Sequence, residues 1–304
     1  MRTIGKELKK NRTLFLMLIP AVAYFLVFAY APMAGSIVAF KEYDFAKGIF
    51  GSPWAGFTNF RFFFISGQAA TVTRNTFLYN VMFLTTGNLL QMIVALFMSE
   101  LKSAKYKKLS QTLLFLPHFI SWVVVGAFMY NIFHYDIGLM NGFIRAIGGE
   151  PVNVYQRQDL WPLILGISNL WKGVGYGSIF YLAAIMGLPV EIYEAATIDG
   201  ASIFKRIRYI TIPLLMPTLA TLLLLGVGSI FRSNFDMFYQ TVGENGQLYA
   251  TTDVIDTFVF RSLLRSFDFG MSSAAAFYQS ILCFITIMTV NGIVRKIDYD
   301  YALF

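Results

Sequence analysis

The sequence predicts an all-α integral membrane protein that crosses the bilayer six times, and three observations carry that reading. Hydrophobic residues make up 57% of the 304 and charged residues 13%, where a soluble domain is about 45–50% apolar and about 25% charged. The apolar residues come in long charge-free blocks, with a mean hydropathy of +0.59. Basic residues are densest in every second connection between those blocks.

The first block is Leu14–Phe40. Lys9, Lys10 and Arg12 precede it as in a signal peptide, but it is longer than the roughly 7–15 residues of a signal h-region. No small-x-small site closes it, so it is expected to stay as a membrane anchor. In residues 41–75, GSPW marks a turn. The stretch FTNFRFFF suits an element lying at headgroup level, where aromatic rings partition. Thr76–Ser99 is the second block and Leu109–Tyr135, with Pro117 inside it, the third. Residues 136–159 predict a short amphipathic helix closed by Gly148, Gly149 and Pro151. The fourth block, Leu160–Val190, is interrupted by Lys172 alone and holds Gly173 and Gly177 at a spacing that lets helices approach closely. Tyr209–Phe231 and Phe269–Val294 complete the set, separated by a polar, aromatic loop over 232–268. Each block exceeds the roughly 20 residues a helix needs to cross a bilayer. The expectation is one domain over 1–304 with spans at about 14–37, 76–99, 110–134, 161–188, 210–232 and 270–294.

Orientation follows from the positive residues. With the N-terminus inside, the inner segments hold Arg2, Lys6, Lys9, Lys10, Arg12, Lys102, Lys105, Lys107, Lys108, Lys205, Arg206, Arg208, Arg295 and Lys296. The longer outer loops are sparser in basic residues. Both termini are therefore expected in the cytoplasm, and the net charge of +7 reads as membrane topology rather than a nucleic-acid surface. Cys283 is the only cysteine and gives no disulfide framework.

Catalytic signatures are missing. The sequence has no G-x-S-x-G, H-E-x-x-H or G-x-x-x-x-G-K-[ST] motif, so it carries no phosphate loop for ATP. His118 and His134 have no partners at metal-ligand spacing. Lys172 is the outstanding charge inside a span. Such a group faces a cavity or a partner, or snorkels to the headgroups if the helix begins late. Asn169, Trp171 and Tyr176 beside it give one candidate pathway wall. Asn234, Asp236 and Tyr239 give another, where aromatic faces and hydrogen-bonding groups suit a sugar; an interfacial aromatic belt is the alternative.

The inner segment 189–212 is the one with a detailed pattern. Pro189 suits a helix start, Asp199-Gly200 a stop, and Ser202 a cap for the next helix. Between them Ala195, Ala196 and Ala201 leave the backbone close to the surface, which favours insertion into a groove on a partner.

Glu194-Ala195-Ala196, then Gly200, Ile210, Ile212 and Pro213 at their spacing resemble the EAA loop of permease subunits of binding-protein-dependent ABC importers. Ile212 stands where that family usually has Leu. FLPHFISWVVVG, YEAATIDGAS and NFDMFY resemble its sugar-permease branch, the oligosaccharide and polysaccharide type. The resemblance implies the type I importer permease fold and a coupling role for Glu194, Ala195, Ala196, Asp199, Gly200, Ala201, Ile210 and Pro213. It further implies a second homologous permease, two ATPase subunits that hold ATP and Mg, an extracellular solute-binding protein and an oligosaccharide cargo, in a bacterial cell membrane. A secondary transporter would carry coupling-ion carboxylates in its spans; here the spans hold no acid apart from Asp236 near one end. An ABC permease for a non-sugar solute is the other alternative. A membrane-embedded enzyme would need a polar catalytic cluster at bilayer depth, and none is visible.

Overall fold

A computed structural model describes residues 10–297, which are almost entirely helical. No strand forms among the described residues; an isolated bridge pairs Lys41 with Trp54. The first apolar block becomes α1, Arg12–Phe40. It is followed by α2 (Thr58–Ile65), α3 (Gln68–Ser99), α4 (Ala104–Phe119), α5 (Trp122–Phe133) and α6 (Leu139–Ala146). Then come α7 (Trp161–Met186), α8 (Val190–Ile198), α9 (Ile203–Val227), α10 (Phe235–Val242), α11 (Ile255–Leu264) and α12 (Phe269–Ile297). α1, α3, α9 and α12 are each long and apolar enough to cross a membrane alone. The pairs α4–α5 and α7–α8 bring the number to six if each counts as one bent span.

α3 and α7 pack along each other as the centre of the bundle, with α4 and α9 against α7. At the end carrying α8, called here the near end, Met92, Leu96, Met98, Tyr181 and Leu215 form an apolar core. Asn88 inside it accepts the Tyr181 hydroxyl at 2.8 Å. At the far end Tyr79, Met129, Trp161, Phe238 and Val254 form a second core. Asn141 clasps the far-end loop by donating to Tyr135 and Val152 carbonyls and accepting from the Val152 amide. α1 stands apart. Arg12–Phe25 buries none of its side chains, and the Ala34–Phe40 end packs on α12.

Three departures from the sequence expectation have physical causes. The third span is not one helix over 110–134: α4 and α5 meet at 88°. Pro117 deprives the last turn of α4 of a donor, and Ser121 caps α5 by accepting from the Val124 amide at 3.4 Å. The fifth span ends at Val227, not near 232, and the chain unwinds before α10. The close approach expected of Gly173 and Gly177 belongs instead to Gly175 and Gly177. A Cβ at Gly175 would lie 1.8 Å from the Leu114 carbonyl oxygen of α4, whereas one at Gly173 would meet nothing within 4 Å.

Candidate functional site

The near-end hairpin is built by local chemistry. Pro189 is the N-cap rather than the first helical residue, and α8 runs for nine residues. Gly200 sits at φ +73°, the left-handed turn that ends helices most easily when no Cβ is present. Its amide donates to the Thr197 carbonyl at 3.1 Å, and the Ala201 amide donates to Ala196 at 2.9 Å. Those two bonds are the Schellman closure of a helix C-terminus. The spacing from Ala196 to Gly200 and Ala201 is therefore the geometry of that stop. Ser202 accepts from the Lys205 amide at 3.4 Å and opens α9.

α9 then passes through a π-turn over Ile207–Thr211, with Pro213 at the start of the next α-helical stretch. A proline leaves the carbonyl one turn back without its donor, and the wider turn accommodates it. Ile210 is half-buried in that turn. Ile210 and Pro213 thus shape the root of the hairpin, while Glu194, Asp199 and Gly200 are exposed at its surface.

Two large apolar side chains project from the hairpin: Ile198 is 87% exposed and Phe204 80%. Ile198 closes α8 and Phe204 lies in the first turn of α9, and the folded turn between them leaves both outward. The hairpin is also tied to the bundle. Arg206 Nη1 donates to Thr197 Oγ1 at 3.0 Å, and Arg206 Nη2 lies 3.6 Å from Glu100 Oε2 just beyond α3. The Tyr193 hydroxyl shares a hydrogen bond with Thr211 Oγ1 at 3.0 Å.

The pathway candidates fall into two groups. On α7, Trp171 and Tyr176 are exposed, Asn169 is half-buried and Lys172 is buried. Lys172 does not snorkel. Its ammonium donates to the carbonyls of Pro117 at 3.2 Å, His118 at 2.7 Å and Ile120, and lies 5.4 Å from the centre of the Trp122 ring. All three ammonium donors are thus engaged at the break between α4 and α5. The lysine caps the carbonyls left open where α4 ends at Phe119, since carbonyls without donors are costly in lipid. Tyr176 stacks on His118 with ring centres 4.2 Å apart and planes 6° from parallel. Phe115 and Phe180 extend this into an aromatic plate. His118, which has no partners at metal-ligand spacing, joins this aromatic group from its place directly after Pro117.

The second group surrounds the unwound end of the fifth span. Asn234 caps α10, accepting from the Met237 amide at 3.1 Å, and Asp236 is exposed in its first turn. Tyr239 stacks on Phe235 with ring centres 5.2 Å apart, and its hydroxyl donates to Glu244 at 3.3 Å. The loose carbonyls are collected by amides that sequence reasoning passed over. Asn80 of α3 donates to Ile230 at 2.9 Å and to Arg232 at 3.1 Å; Gln279 of α12 donates to Phe231 at 2.7 Å. Asp256 of α11 accepts from the Ser233 amide at 2.8 Å and from Gln279 at 3.0 Å. Burial holds the Asp256 carboxyl above its ordinary range despite these donors.

Residues 91–299 match the family model described as the binding-protein-dependent transport system inner membrane component. LplB of Bacillus subtilis is 33% identical over 293 residues, covering 96% of this chain and 92% of that protein. The polygalacturonan/rhamnogalacturonan transport system permease protein YteP of the same organism is 30% identical, over 95% of this chain and 90% of that one. Among solved structures, a chain of a bacterial ABC transporter involved in import of the acidic polysaccharide alginate superposes with a TM-score of 0.86 at 32% identity, covering 97% and 99% of the two chains. A chain of the bacterial alginate transporter in complex with a pentasaccharide-bound periplasmic protein gives 0.85.

Proposed function

From the premise that this chain belongs to the family of binding-protein-dependent transport system inner membrane components, we propose that it is a permease subunit of an ATP-driven importer of oligosaccharides. The observation that carries the reading is the near-end hairpin, a rigid, exposed turn with Ile198 and Phe204 outward and no phosphate loop anywhere in the chain. Such a surface fits a groove on a separate ATPase that binds ATP and Mg. Glu194 is exposed and has no partner among the described residues, so its carboxylate is free to meet a cation on that ATPase. The hairpin then faces the cytoplasm, as do both termini, and the far end faces the solute-binding protein. A second homologous permease completes the pathway.

Asn169, Trp171 and Tyr176, with His118 beneath, form the α7 side of that pathway: aromatic faces stack on sugar C–H groups and amides bind hydroxyls. Asn234, Asp236 and Tyr239 form the α10 side. Fragments of acidic polysaccharides are the first cargo to test, because relatives over almost the whole length carry polygalacturonan and alginate in their names.

The test is uptake into proteoliposomes that hold this chain, its partner permease and the ATPase, with the solute-binding protein supplied outside. Uptake is expected to require ATP and to fall at least tenfold in Glu194→Lys or Gly200→Val, with membrane insertion unchanged. Undiminished uptake in both variants overturns the coupling role. Uptake without ATP overturns the importer reading in favour of a secondary transporter.

A further inference from the structure

α8 and the first turn of α9 bury no side chain, so deep apolar packing does not set the angle at which the hairpin stands on the bundle. Polar side chains take that part. Lys205 and Arg208 are exposed, whereas Arg206 between them is turned inward. Its Nη1 donates to Thr197 Oγ1 of α8 at 3.0 Å. Its Nη2 lies 3.6 Å from Glu100 Oε2, just past the end of α3, with the two side chains 20% and 29% exposed. Lys102, Lys105, Lys107 and Lys108 follow Glu100 closely in the chain, yet its ion pair crosses to α9.

With Nη1 committed to Thr197, the edge left for Glu100 is the one formed by Nε and Nη2. Arg157 shows that edge closed on a carboxylate in the same chain: Nε donates to Asp159 Oδ1 at 2.8 Å and Nη2 to Oδ2 at 2.7 Å. At Arg206 the fork stands open. Nη2 is beyond hydrogen-bond range of Glu100, and Nε is buried without a partner. A buried donor left unpaired is costly. The closed fork removes that cost, and a movement of about 1 Å reaches it.

We propose that Arg206 and Glu100 are a positioning pair for energy coupling: the fork closes as the hairpin is drawn towards α3, and α8, α9 and α3 then move as one body. The inference rests on the importer reading, in which the hairpin docks on the ATPase, and adds the residues that pass its movement to α3. An ion pair with this much solvent access adds little to stability, so its loss is expected to leave the fold and ATPase docking intact. Linkage between two sites is commonly about fivefold or more, a size that one closed contact can decide.

The complex of this chain, its partner permease and the ATPase in nanodiscs tests this. The readout is the affinity of the solute-binding protein with and without a non-hydrolysable ATP analogue, a linkage that needs no cargo turnover. In wild type the analogue is expected to change that affinity about fivefold or more. Arg206→Glu and Glu100→Arg should each bring the ratio below about twofold, and the two together should restore it. Arg206→Lys keeps the charge without the fork and should fall between. ATPase co-purification and melting midpoint should match wild type throughout. A ratio unchanged in Arg206→Glu, or no recovery in the exchanged pair, overturns the pairing and leaves the importer reading standing. A wild-type ratio in Arg206→Lys overturns the fork. Loss of the ATPase or a lowered midpoint in the exchanged pair assigns the contact to folding and overturns its coupling role. A wild-type affinity that ignores the analogue overturns the ATP-coupled reading and this inference together.

Discussion

Replacing Lys172 by methionine keeps the length and apolar stem of the side chain and removes three donors. The carbonyls of His118 and Ile120 then lose their donor at the break between α4 and α5, and that of Pro117 keeps only the Ile120 amide at 3.2 Å. A hydrogen bond from a charged donor contributes roughly 1.5–3 kcal/mol, and three would sum to well above 4 kcal/mol. Against this stands the desolvation of the ammonium, about 2.5–3.5 kcal/mol at a helix centre, which methionine does not suffer. The net destabilisation is about 2–4 kcal/mol, a fall of roughly 4–15 °C in melting temperature for a domain of this size. Cys283 is the sole cysteine and is only partly exposed, so a thiol-reactive dye reports unfolding without added labels. Methionine at 172 with a midpoint within 1 °C of wild type would refute the capping argument and return the lysine to a pathway or snorkelling role.

Two further outcomes follow from the packing and from one buried acid. Gly175→Ala is expected to lower stability by more than about 3 kcal/mol, because its Cβ would run into the α4 backbone at Leu114, while Gly173→Ala should change little; the same dye assay separates them. Asp256 lies outside the spans and has a carboxyl pKa raised mainly by burial. A group with a folded pKa above its unfolded value contributes most below the unfolded pKa and loses that contribution as pH rises through the folded one. Wild type minus Asp256→Asn should therefore show a stability difference that favours wild type in acid and declines towards neutral pH, read from melting curves between about pH 4 and 7. A flat difference would show that the carboxyl titrates alike folded and unfolded.

The helices were legible because lipid imposes a simple code: charge-free blocks of sufficient length and turn chemistry at their ends. The hairpin was legible for a related reason, since Gly200 and Ser202 act through neighbours only a few residues away. What escaped the sequence is long-range. Lys172 caps a helix that ends more than fifty positions earlier, and nothing near it in the chain reveals that α4 stops at Phe119. Asn80 and Gln279 look like scattered amides in apolar runs until the fifth span unwinds between them. Both misses share one cause. In a membrane the backbone of a broken helix must be satisfied by side chains from other spans, and a single sequence does not pair the two.

On the proposed coupling role, the same side-chain bonds set what a movement of the hairpin reaches. Arg206 belongs to the first turn of α9, yet it holds α8 through Thr197 and the end of α3 through Glu100. Tyr193 on α8 adds a bond to Thr211 in the π-turn of α9. A force on Ile198 or Phe204 therefore acts on α8, α9 and α3 together rather than on a loose loop. Beyond the far end of α9 the two helices are joined again, where Asn80 from within α3 holds the carbonyls that follow Val227. The unwound segment lies directly before Asn234 and Asp236. Coupling over such a distance needs elements with two discrete arrangements. The proposed coupling then runs through α9 and α3, joined by the Arg206–Glu100 contact at the hairpin and by the Asn80 hydrogen bonds beyond Val227.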